Sequence, residues 1–79
     1  MAVTYSKDEV KQILELQTQY RDVVSRYTQP NEIQFISQEN YHRILSIQEK
    51  LQQFPEIFEE ESLKVNIIIE GLEGKVQNI

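Results

Sequence analysis

Residues 63–72 read LKVNIIIEGL, with Phe58 upstream and a second glycine, Gly74, just beyond. The stretch fits two periods. At about 100° per residue from Phe58, the residues Ile57, Phe58, Val65, Ile68, Ile69, Leu72, Val76 and Ile79 fall within an arc of roughly 120°. Leu63 and Ile67 fall outside that arc, and Glu61 intrudes on it. At period two, Leu63, Val65, Ile67 and Ile69 alternate with Lys64, Asn66, Ile68 and Glu70, and valine and isoleucine favour strands. On that reading Glu70–Gly74 turns the chain into a second strand. The fold is then α+β, with a C-terminal β-hairpin over about 63–79.

The flanks favour the helix. Pro55 followed by Glu56, Glu59, Glu60 and Glu61 is a helix N-terminus, with proline at the first position and acids on the positive end of the dipole. Gly71 fits the residue after a helix, and Leu72 the apolar contact of a Schellman ending. A two-stranded hairpin also needs support from a third element. The expectation is a helix over about 56–70 followed by a cap and tail over 71–79.

Upstream, residues 6–28 are the clearest helix. Ser6 and Glu9 have capping-box spacing, and Val10, Ile13, Leu14, Gln17, Tyr20, Val24 and Tyr27 make a helical stripe. Pro30 stops it, because the residue before a proline avoids the α region. Residues 32–36, EIQFI, read as a packed connection or a short strand, with Phe35 plugging the core. Ser37 then caps a second helix over 37–54, whose stripe is Tyr41, Ile44, Leu45, Gln48 and Leu51. A shift of 31 residues lays the first helix on the second, Ser6 on Ser37 and Gln17 on Gln48. Two amphipathic helices sharing a template explain this, and one pair of segments is thin support for a repeat. Gln17 and Gln48 are either wet edge positions or a polar pair that fixes register between facing helices.

Seventy-nine residues allow one domain, 1–79, and one this small is marginal alone. With no cysteine, neither a disulfide nor a thiolate-bound metal supplements the core, which raises the weight of partner chains. The net charge of −5 is uneven: residues 6–27 are neutral, and most of the excess lies after residue 54. An acidic chain repels phosphate, which weighs against nucleic acids and anionic membranes. No apolar run approaches the ~18 residues of a membrane span, and no leader precedes the first helix, so the expectation is cytoplasmic.

Glu39 and His42 have a spacing found in di-iron helical bundles, but both fall outside the apolar arc of their helix, so no metal site is expected. His42 is the only histidine, and no glycine-rich or nucleophile-elbow context surrounds it. The chain is read as not an enzyme, without cofactor or small-molecule substrate.

The fold class expected is all-α: a small three-helix bundle, or a helical hairpin plus a third helix, that dimerises. Apolar residues spread over half the circumference of the first two helices, and Leu63 and Ile67 lie off the arc of the third, more than so short a chain readily hides. Leu16, Tyr20, Val23, Tyr27, Ile47, Phe54, Leu63 and Ile67 are therefore the candidate partner-binding residues. The function expected is a protein–protein interaction module, an adaptor, assembly factor or inhibitor, that binds a protein partner or itself as a homodimer. The alternative is a small dimeric DNA-binding regulator, which salt-dependent retention on DNA would mark.

Overall fold

A computed structural model of the chain describes residues 4–77. Three helices, α1 (Lys7–Tyr27), α2 (Gln38–Gln52) and α3 (Pro55–Leu72), pack as an up-down-up bundle. LKVNIIIEGL is helical from end to end, so the C-terminal hairpin is overturned. The expected Schellman ending is overturned too. Gly71 has no positive φ, and α3 runs through it to Leu72 before tightening into a 3₁₀ turn, Glu73–Lys75. Asn78 and Ile79 of the expected tail lie outside the described residues.

Local chemistry sets the helix starts. The Glu9 amide donates to Ser6 Oγ at 3.2 Å and the Ser6 amide donates to Glu9 Oε1 at 3.1 Å, a complete capping box. Ser37 Oγ accepts from the Asn40 amide at 3.2 Å. Pro55 occupies the first turn of α3, where its missing N–H costs nothing. One turn on, Phe58 departs from helical geometry (φ −116°, ψ 25°) and α3 kinks. Phe54 and Phe58 both face inward beside this bend, edge to face at 6.5 Å, and Tyr5 meets Phe54 at 5.9 Å.

The core is Ile13, Leu16 and Val23 of α1, Ile44, Ile47 and Leu51 of α2, and Phe58, Val65, Ile68, Ile69 and Leu72 of α3, with Ile36 and Phe54 from the connections. The buried face of α1 is thus rotated from the expected stripe. Val10 is 45% exposed, Leu14 58% exposed, and Gln17 faces water. Ile13, Leu16, Tyr20, Val23 and Tyr27 recur at alternating spacings of three and four, the seam that meets a close neighbour. The wider stripe was read from hydrophobicity alone, and hydrophobicity does not fix the phase.

The end where α1 gives way to α2 is closed by extended chain. Strand β1 (Ile36–Ser37) pairs in parallel with β2 (Val76–Gln77), with Ile36 opposite Val76. Ile36, not Phe35, plugs the core there. Phe35 is 64% exposed because neighbours in an extended segment point to opposite sides. Two further contacts hold the connection to α3. The Lys75 ammonium donates to the Pro30 carbonyl, and the Pro30 ring lies over Gly71 so closely that a Cβ there would sit 2.6 Å from Pro30 Cβ.

Gln48 is 5% exposed, and its partner is not Gln17. Its Nε2 donates to Ser62 Oγ at 2.9 Å and to Asn66 Oδ1 at 2.8 Å, which ties α2 to one level of α3. Its Oε1 is buried without a partner. An orphaned acceptor offsets much of what the two hydrogen bonds contribute. Gln48→Leu is therefore expected to unfold in urea within about 1 kcal/mol of the parent, because Ser62 and Asn66 can turn to water. A loss above about 2 kcal/mol would show the amide to be a net stabiliser.

Candidate interaction surface

The eight partner-binding candidates separate into three groups. Leu16, Val23, Ile47 and Phe54 are core residues, 3–5% exposed. As a free docking surface these four are corrected: α1 buries a face centred on Leu16 and Val23, so the positions judged surplus are the ones that α2 and α3 cover. Tyr20 and Tyr27 are half-buried at the core's edge. Leu63 and Ile67 stand on the outer face of α3, 60% and 65% exposed.

Val23, Tyr27 and Ile47 do come together, with Ile44, along a groove of about 410 Å³ between α1 and α2. Arg26 and Arg43 stand on its rim. Arg26 Nε donates to Asp22 Oδ1 at 3.0 Å, an exposed pair worth little, and it is the one salt bridge among the described residues. A narrower groove between α1 and α3 places Tyr20 beside Ile57.

The surface that sequence reading missed is on α1. Val10 and Leu14 are one helical turn apart and exposed, as Leu63 and Ile67 are on α3. Their surroundings differ in sign. The helical neighbours of Val10 and Leu14, three and four positions away, are Ser6, Lys7, Lys11, Ile13, Gln17 and Thr18, with no acid among them. Arg21 continues the same row one heptad beyond Leu14. Leu63 and Ile67 have Glu59, Glu60 and Glu70 as neighbours, against a single cation, Lys64. The sequence did hold a signal for the α1 pair: two large apolar residues flanked by lysines on a row that the three-four seam leaves outside.

These side chains are between 45% and 65% uncovered. Fully burying one large apolar side chain is worth roughly 1.5–3 kcal/mol, so covering each of these gains on the order of 1 kcal/mol. Association itself costs about 4–15 kcal/mol. Apolar contact at these pairs does not by itself exceed that cost.

The electrostatics are otherwise quiet. Burial, then the adjacent Glu56 carboxylate and the 3.3 Å hydrogen bond to it, then Glu9, hold the Tyr5 phenol above its ordinary value. Burial and Glu73 do the same for Tyr41. Both phenols stay neutral at physiological pH, and the Tyr5 hydroxyl donates to Glu56 Oε2. Glu39 and His42 both face solvent, and no group of three or more candidate metal ligands occurs among the described residues. No helix of the described residues is long and apolar enough to cross a membrane. The chain matches no protein-family model, no curated protein and no solved structure.

Proposed function

We propose that this chain is a small protein–protein interaction module that works through apolar side chains on the outer faces of its helices, as an adaptor, assembly factor or inhibitor. Its partner is a protein, its own chain included, and the reading gives it no catalytic role. The observation that carries it is the placement of Leu63 and Ile67. The bundle completes a core around α3 and leaves both in water, one turn apart within an acidic border. Ordinary solubility gives no reason to keep such a pair on a helix that already buries Val65, Ile68, Ile69 and Leu72. The cytoplasm suits the reading, since a chain without cysteine needs no oxidising compartment.

A photo-crosslinking residue at position 63 or 67, in cells making the full chain, tests it. Discrete protein adducts are expected from both positions and not from position 46, which is exposed on α2. Equal yields from all three positions, or no adduct at 63 and 67, would overturn the proposal.

A further inference from the structure

The structure points to the partner's chemistry: we infer that the acidic apolar stripe of α3 docks on the basic apolar stripe of α1 of a second copy of this chain. The inference rests on the interaction-module reading and deepens it.

Two observations meet here. The first is shape and spacing. Val10–Leu14 on α1 and Leu63–Ile67 on α3 are matched i,i+4 pairs, exposed at 45% and 58% and at 60% and 65%. Each presents one turn of helix with two large aliphatic side chains, the unit by which helices pack across an interface. The second is charge. Lys7, Lys11 and Arg21 share the α1 row with Val10 and Leu14, and Glu59, Glu60 and Glu70 share the α3 row with Leu63 and Ile67. All six charged residues are exposed, and none forms a salt bridge among the described residues. Like stripes repel: α1 against α1 sets cations on cations, and α3 against α3 sets acids on acids. Only the mixed contact pairs apolar with apolar and plus with minus, so the repulsive terms select it as much as the attractive ones do.

Charge reversal in complementary pairs tests this on the full chain. One variant carries Lys7→Glu, Lys11→Glu and Arg21→Glu, and a second carries Glu59→Lys, Glu60→Lys and Glu70→Lys. Sedimentation equilibrium at low salt reads association, and circular dichroism confirms helix content. The unaltered chain should associate reversibly, and more weakly at about 1 M salt, where the Debye length falls to ~3 Å. Each variant alone should associate about tenfold or more weakly, because like charges then face one another. An equimolar mixture of the two should recover the parent's association, since both mixed contacts are again complementary. Leu63→Ser with Ile67→Ser alters only exposed groups and should weaken association without touching charge, which keeps the test open if a triple variant does not fold. A parent chain monomeric at every concentration, or a mixture no tighter than its components, would overturn the inference. Adducts with other proteins from position 63 of a monomeric chain would overturn it while leaving the interaction-module reading in place.

Discussion

Phe58→Ala is expected to remove about 3–5 kcal/mol, roughly a quarter or more of the chain's folding stability. Phe58 is 2% exposed and is among the largest side chains wholly inside the bundle. Truncating a buried phenylalanine costs about 3–5 kcal/mol, the lost transfer energy plus the cavity left behind. At 0.05–0.15 kcal/mol per residue, a domain of this length has roughly 4–12 kcal/mol of stability in all. The cavity cannot easily collapse. Phe58 sits at the kink of α3, and Phe54, which it contacts, is held by Tyr5 on its other side. Thermal and urea unfolding followed by circular dichroism measure the loss. A cost below about 1.5 kcal/mol would mean that the aromatic cluster contributes little to holding α1 against the α2–α3 turn.

Gly71→Ala is expected to destabilise, although alanine is the better helix former by about 1 kcal/mol. Gly71 lies inside α3 with ordinary helical geometry, so backbone freedom is not why it is there. The added methyl would lie 2.6 Å from Cβ and 2.9 Å from Cγ of Pro30, a rigid ring. Overpacking of this kind costs typically 1–3 kcal/mol. To relieve it, the 3₁₀ turn Pro30–Glu32 must lift off α3, and β1, which pairs with β2, lies in the same connection. Amide exchange at residues 36–37 and 76–77 should then accelerate more than exchange in the middle of α2. In a Pro30→Gly background, which removes both offending atoms, the same Gly71→Ala change should become stabilising by about 1 kcal/mol. An effect of the same sign in both backgrounds would show that Pro30 is not what excludes a side chain at residue 71.

What could be read from sequence was what neighbours along the chain decide. Ser6 with Glu9, Ser37 with Asn40, and Pro55 mark helix starts through contacts within one turn, and all are where local chemistry puts them. Leu63 and Ile67 were legible as off-face residues because α3 has enough large aliphatics to define its arc. The face of α1 was not legible, since apolar residues on several sides leave its phase to be set by where α2 and α3 lie. Phe35 and Ile36 were indistinguishable for the same reason: which of two adjacent side chains points inward depends on a strand partner 40 residues away. Gln48 likewise took its partners from α3 rather than from its counterpart in α1.

The β1–β2 pair has a consequence for assembly of the chain. Synthesis is vectorial, and Val76–Gln77 is made 40 residues after the Ile36–Ser37 segment that it fixes. The α2–α3 hairpin can form from adjacent sequence as it emerges. The bend between α1 and α2 cannot reach its final conformation until those late residues are free to pair. A nascent polypeptide therefore passes through a stage with its helices in place and one corner unlatched, and the arrival of residues 76–77, not helix formation, marks the moment that corner shuts.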